Sequence, residues 1–206
     1  SLDSAIAPYL NVDKTLWHLA AENAFADDDS YIYKGRMDYY LYQDAETGRF
    51  QTYDYDGNSV MTANFATWSP FYNADKVNYP LLNRLLQVPS IRQRYIAHLK
   101  TIMTEGLDTA KTNKLLTQYA AQIDTSILAD PKKATTYAQF TSSIATLKKF
   151  INDRRNAILN NAEFKQPQPT IATVDYFVNN LANTQPDENQ EVVVKAKVDF
   201  VTGLQK

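Results

Sequence analysis

The spacing of apolar residues changes near residue 165, and that change limits what the chain can fold into. From residue 80 to residue 161 apolar side chains recur every three or four positions, the period of a helix with one buried face. Past Lys165-Gln166-Pro167-Gln168-Pro169 the period drops to two: Val192, Val194, Ala196 and Val198 alternate with Val193, Lys195, Lys197 and Asp199. Alternation of that kind predicts a half-buried strand. The proline-spaced segment between the two regimes reads as a stiff, extended linker. Two units are therefore expected, residues 1–164 and residues 165–206.

Within the first unit, residues 11–26 predict a helix with Leu16, Leu19, Ala20, Asn23 and Ala24 on one face and Asn11 or Asp13 at its start. A polar break, Asp27-Asp28-Asp29-Ser30, follows. Strand-forming residues 39–43 and 50–56 flank the turn Asp44-Ala45-Glu46-Thr47-Gly48-Arg49, which predicts a β-hairpin ending at Gly57. An aromatic loop (Phe65, Trp68, Phe71, Tyr72) leads into helices. Pro80 opens the first, with Leu81, Leu82, Leu85 and Leu86. Ser90 is read as the cap of the second, whose stripe is Ile91, Tyr95, Leu99, Ile102 and Met103 and which Gly106 ends. A third spans about 109–123 (Leu115, Leu116, Tyr119, Ile123), and a long fourth about 134–161 (Tyr137, Phe140, Ile144, Leu147, Ile151, Ile158). Two or three strands do not make a stable sandwich alone. The second unit, with Gly203-Leu204-Gln205-Lys206 as the start of a further strand, is thus expected to be the beginning of an Ig-like β-sandwich.

Composition removes several classes of function. The chain has no cysteine, so disulfides, thiolate catalysis and zinc–thiolate sites are excluded. No apolar run approaches the roughly 20 residues of a membrane span. The net charge of −2 conceals an asymmetry: residues 1–60 hold 11 acidic and 4 basic residues, while the rest is net basic. An acidic surface repels phosphate backbones and attracts cations, which argues against nucleic acid as a partner of the N-terminal part.

Three acidic points stand out there: Asp29, Asp38 and the pair Asp54/Asp56. On a strand, residues two apart share a face, so Asp54 and Asp56 are expected to present their carboxylates together. Two such charges repel unless a cation lies between them. Mg²⁺ is bound by one or two carboxylates together with substrate phosphates. An acid ahead of a hairpin and another at the end of its second strand is also the layout of a kinase site, where the first handles the hydroxyl proton and the second holds the metal on the nucleotide. The spacing alone leaves a plainer reading open, in which these are solvated turn residues.

The run Asp38-Tyr39-Tyr40-Leu41-Tyr42, then Thr47-Gly48-Arg49-Phe50, then Tyr53-Asp54-Tyr55-Asp56 resembles the "N-Y-Y-L-Y … T-G-R-F … W-D-x-D" segment of the CotH (spore coat protein H) family of atypical protein kinases. Asp27-Asp28-Asp29-Ser30 stands where that family has "N-W-D-S". Residues 80–86, Val88-Pro89 and Arg92-Gln93-Arg94-Tyr95 are similar to its "P-L-x-R-L-L … P … R-x-R-Y" helices, and Phe150-Ile151-Asn152-Asp153-Arg154 to its closing helix. The likeness is collinear over about residues 11–160. It implies an α+β fold, a mainly helical kinase-like C-lobe with one β-hairpin. It also implies ATP- and Mg²⁺- or Mn²⁺-dependent phosphoryl transfer to Ser or Thr of a coat or surface protein, at an extracellular, cell-surface or spore-coat location. By position, Asp29 would be the catalytic acid, Asp54 the principal metal ligand with Asp56 beside it, and Asp38 a contact to the metal–nucleotide. The chain departs from the pattern at Asp27 and Asp28 (Asn-Trp in the family), at Asp38 (Asn) and at Tyr53 (Trp).

With five glycines and no Gly-rich phosphate loop, the nucleotide-gripping lobe is expected to precede Ser1, and the chain by itself to be inactive. Two other readings accompany the kinase: a non-catalytic coat or surface scaffold, and a calcium-stabilised domain suggested by Asp54-Tyr55-Asp56-Gly57-Asn58-Ser59. The latter has Ser59 where a calcium loop needs Gly. His18 and His98 read as packing or surface residues, and Lys148-Lys149 with Arg154-Arg155 as a solvated basic face.

Overall fold

The computed structural model describes residues 2–35, 37–166 and 170–199. Among these, seven α-helices and two small antiparallel sheets make an α+β chain. It divides into two units, residues 1–164 and 165–206, and each is taken by itself.

The first unit is built around α2 (Val12–Ala24). The Asn11 side chain caps it by accepting the Lys14 N–H at 3.2 Å. Leu16, Leu19, Ala20, Asn23 and Ala24, the face read from the sequence, are all buried. A short α1 (Leu2–Ile6) precedes it, and α3 (Tyr31–Lys34) follows the polar break. The hairpin is β1 (Tyr39–Gln43) and β2 (Phe50–Asp54), paired from Tyr39 opposite Asp54 to Gln43 opposite Phe50. Gly48 closes the turn at φ 68°, where a side chain would be strained. The expected second strand is shorter than its pattern: β2 stops at Asp54, and Asp56 has a left-handed φ of 52°. Strand alternation therefore does not carry Asp54 and Asp56 onto one face.

The hairpin is fastened to α2. The Asn11 N–H donates to the Phe50 carbonyl at 2.8 Å, and the Phe50 N–H to the Tyr9 carbonyl at 2.7 Å. Lys14 Nζ donates to Gln51 Oε1 at 2.7 Å and lies over the Tyr53 ring. Asn11 with Phe50, then Lys14 with Gln51, shows α2 and β2 running side by side in the same direction.

Behind α2 lie α4 (Pro80–Leu86), α5 (Pro89–Thr101) and a π-helical turn (Ile102–Gly106). Ile91, Tyr95, Leu99 and Met103 form the buried stripe. Ser90 does not cap α5, because the helix begins at Pro89 with Val88 as its cap residue; the Ser90 hydroxyl donates to Asp3 instead. The last two helices, α6 (Thr109–Ala129) and α7 (Tyr137–Leu159), pack on each other. α6 is six residues longer than its pattern suggested and buries none of them; Tyr119 is 56% exposed. Thr136 and Gln139 form a capping box at the start of α7.

One reading is reversed outright. Arg154 is not on a solvated face: it is fully buried. Its Nε and Nη2 donate to the Asn23 carbonyl at 3.1 and 2.6 Å, and Nη1 donates to the Trp68 carbonyl at 2.6 Å. The guanidinium thus closes the C-terminus of α2, where backbone carbonyls lack helical partners. Burial pulls its pKa down to about 10, which leaves it charged at neutral pH.

The second unit is a three-stranded antiparallel sheet in the order β4-β3-β5, from β3 (Thr170–Val178), β4 (Leu181–Ala182) and β5 (Val192–Asp199). The alternating segment is a strand as expected, but it is exposed along its whole length rather than half-buried. The sequence reading did not name β3. The linker prolines Pro167 and Pro169 and the strand start at Gly203 lie outside the described residues.

Candidate metal and catalytic site

The C-terminus of α2 and the break after it carry more acid than the sequence reading used. Glu22, in the last turn of α2, is 4% exposed. Its carboxylate accepts the backbone N–H groups of Tyr31 (Oε1) and Ile32 (Oε2), both at 3.2 Å. These are orphan donors at the start of α3, so Glu22 caps that short helix from another element. Ser30, the local cap residue, uses its hydroxyl to donate to the Asp27 carbonyl.

Asp27 is 3% exposed, and its Oδ1 accepts the Asp29 N–H at 3.0 Å. Burial pushes its pKa up to about 6; the Asp29 N–H works against that rise, and the charges of Glu22, Asp54 and Asp28 add to it. Asp29 is half-buried and pairs with Lys34 at the end of α3. The Asp28 N–H donates to the Ser59 carbonyl at 3.1 Å, and the Tyr55 N–H to the Asp38 carbonyl at 3.2 Å. These bonds hold the two ends of the site together, residues 27–30 against residue 59 and Asp38 against the end of β2.

Asp54 is exposed at the end of β2. Its carboxylate, an oxygen of Glu22 and a ring nitrogen of His18 all lie within 4.8 Å of one another. His18 Nε2 is 3.0 Å from Glu22 Oε1. The contact has the length of a hydrogen bond without its alignment, so Nε2 is buried with no hydrogen-bond partner. Burial would lower the His18 pKa, but Glu22, with Asp54 and Asp27 behind it, reverses the effect and raises it.

Of the acids named from sequence, Asp54 thus joins a three-residue cluster on α2 and β2. Asp29 sits beside it through Asp27, which bonds the Asp29 N–H and feels the Asp54 charge. Asp38 is half-buried opposite Tyr55, its charge felt by Lys34. Asp56 is exposed two residues past the strand. The sequence reading set His18 aside and passed over Glu22; their spacing of four on one helix was the available signal. A cleft of about 260 Å³ lined by Phe71, Asp75, Asn83 and Arg92, among others, contains none of these acids.

A family model described as CotH kinase protein matches residues 1–158. The chain belongs to the CotH kinase family. The match spans the hairpin and α1 to α6 and ends within α7, so the acidic cluster lies inside the CotH region. No curated protein matches the chain. Among the described residues, no helix is long and apolar enough to cross a membrane.

The donors present suit the divalent ion that a kinase-like CotH protein implies. Hard cations take carboxylate oxygens, and no hydrogen bond or ion pair to the Asp54 carboxylate occurs among the described residues. Its lone pairs are free for an ion.

Proposed function

We propose that this chain carries the metal-and-base half of a protein kinase that moves the γ-phosphoryl group of ATP to Ser or Thr of a protein substrate. The observation that supports it most is the state of Asp54. Asp54 is exposed and, among the described residues, free of hydrogen bonds and ion pairs beside two buried acids, so its oxygens are available to an ion. In this reading Asp54 holds Mg²⁺ or Mn²⁺, with Asp56 as second ligand or support and Asp38 toward the nucleotide. The bound ion would neutralise phosphate charge.

The chain's own residues supply the rest. Asp29 accepts the proton of the incoming hydroxyl. Its backbone is fixed by Asp27 and its carboxylate is oriented by Lys34. The Lys34 ammonium, exposed at the end of α3, offers donors to the oxygens of the group in transit. The family's spore-coat association makes a coat or cell-surface protein the expected substrate and an extracellular or coat setting the expected location.

The test is a titration of the full-length protein with Mg²⁺ and Mn²⁺, with and without ATP, repeated with Asp54→Ala and Asp29→Asn. Nucleotide-dependent metal binding lost in Asp54→Ala, with phosphoryl transfer lost in both variants, is the expected result. Tight Ca²⁺ binding without nucleotide, or no metal binding at all, would sink the proposal.

A further inference from the structure

We infer that His18, Glu22 and Asp54 form a divalent-metal site of mixed nitrogen and oxygen donors, which takes a late first-row ion such as Zn²⁺ without any nucleotide. Asp54 is shared with the kinase reading, but the inference stands on the three side chains alone.

Three atoms of metal-binding type lie within 4.8 Å of one another, two on α2 and one on β2. Ligands bound at about 2 Å around one ion are separated by about 3–4 Å, so little movement would bring these onto a common centre. The helix spacing of His18 and Glu22 turns both toward β2. Bonds such as Lys14 to Gln51 hold β2 in place against the helix.

The His18 side chain is 6% exposed, and its Nε2 lies 3.0 Å from Glu22 Oε1 as an ion pair without the alignment of a hydrogen bond. A buried ring nitrogen in close contact with a carboxylate but without hydrogen-bond alignment has room for an occupant. Thr52, two residues before Asp54 on the same face of β2, is likewise buried with an unpartnered Oγ1. Unsatisfied polar atoms therefore collect on the face where α2 meets β2.

Glu22 retains capacity for an ion. An ionised carboxylate offers about four lone-pair positions. The N–H groups of Tyr31 and Ile32 use two of them. Those same bonds fix the carboxylate, as partners of a metal ligand usually do. Asp54, open to solvent, gives a route of entry and leaves room for water as a fourth ligand.

The nitrogen donor decides the class of ion. Imidazole suits zinc and its neighbours, while Mg²⁺ and Ca²⁺ prefer all-oxygen sites. The site is thus distinct in preference from a nucleotide-bound Mg²⁺, although the two would compete for Asp54.

The experiment is a titration of the full chain with Zn²⁺, and with Co²⁺ as a spectroscopic probe, at pH 7.5 in the absence of nucleotide. His18→Gln and Glu46→Gln are run in parallel. We expect one ion per chain, a Co²⁺ ligand-field spectrum, a rise in Tm on Zn²⁺ addition, and little effect of Mg²⁺. His18→Gln should weaken Zn²⁺ binding at least 10-fold, while Glu46→Gln, at an exposed position in the hairpin turn, leaves it unchanged. Circular dichroism of metal-free His18→Gln confirms that the variant folds; if it does not, His18→Asn and Asp54→Asn replace it. Binding undiminished in folded His18 variants, or no Zn²⁺ binding by the parent, would overturn the inference. Either failure leaves ATP-dependent Mg²⁺ binding untouched, and loss of the latter with Zn²⁺ binding intact would count against the kinase reading alone.

Discussion

Arg154 of α7 donates three hydrogen bonds to Asn23 at the end of α2, two to its carbonyl and one to its side-chain Oδ1 at 2.5 Å. A second arm of the same guanidinium holds the carbonyl of Trp68. One buried cation thus ties the closing helix, the central helix and the aromatic loop, and among the described residues no carboxylate pairs with it. Asn23 in turn donates to the Ser69 carbonyl at 3.1 Å.

Replacing that cation by a flexible apolar chain should be severe. Arg154→Met takes the donor from Asn23 Oδ1 and from the Trp68 carbonyl, at about 1–3 kcal/mol each, and leaves the Asn23 carbonyl with the Ala26 N–H at 3.1 Å. We expect a loss of about 3–5 kcal/mol in denaturant unfolding, and a similar loss for Arg154→Lys, whose point charge cannot fork between two carbonyls. A loss below about 1 kcal/mol in either variant would show that the cap is not needed.

Asp27→Asn should stabilise the protein at neutral pH. An acid whose folded pKa is raised binds its proton more tightly when folded, so its unfavourable effect is absent below the ordinary value of 3.8 and complete above about 6. A shift of that size corresponds to about 3 kcal/mol at most. The Asn side-chain oxygen keeps the bond from the Asp29 N–H. Unfolding of both proteins from pH 3.5 to 7.5 should show the variant ahead at pH 7.5 and the advantage vanishing near pH 4. A constant difference across that range would count against the assignment. The residue introduced is the one the family pattern carries at this place.

Asp54→Asn should leave metal-free stability unchanged or slightly improved. The carboxylate has no protein donor to lose among the described residues, and it stands among the like charges of Glu22 and Asp27. Tm in the presence of a chelator is the measurement. A drop of several degrees would reveal a structural role and weaken the functional one.

Gly35→Ala should destabilise the loop that carries Lys34. Gly35 ends α3 at φ 82°, and an added Cβ would meet Tyr79 Cε1 at 3.2 Å. Tyr79 cannot easily give way, because its hydroxyl donates to the Tyr33 carbonyl at 2.6 Å. Backbone strain of about 1–2 kcal/mol adds to the contact. Equilibrium unfolding should show a loss of at least 1 kcal/mol, and no loss would mean that the turn relaxes.

Much of the local structure was legible in the chain. Asn11 marks the start of α2 because a side-chain acceptor there meets an orphan N–H. Gly48 marks the hairpin turn because only glycine takes that backbone at no cost. The stripe Ile91, Tyr95, Leu99 and Met103 follows from helical period alone. Where local rules compete, reading failed. Ser90 looked like a cap, but Pro89 already fits the first turn and starts the helix one residue earlier. Asp56 looked strand-like, but β2 ends at Asp54 and Asp56 itself takes a left-handed φ. β5 alternates, yet its alternation buries neither face among the described residues.

The sequence by itself determined the two periods, the hairpin with its acidic end, the break at Asp27-Asp28-Asp29 and the likeness to a family, since these depend on neighbours along the chain. Tertiary structure alone decided that Glu22 caps α3, that Arg154 is buried at the end of α2, and that His18 and Glu22 face Asp54. Those facts depend on which elements pack together. Charge and burial act through space, and no local pattern records which carbonyl or carboxylate a distant side chain will meet.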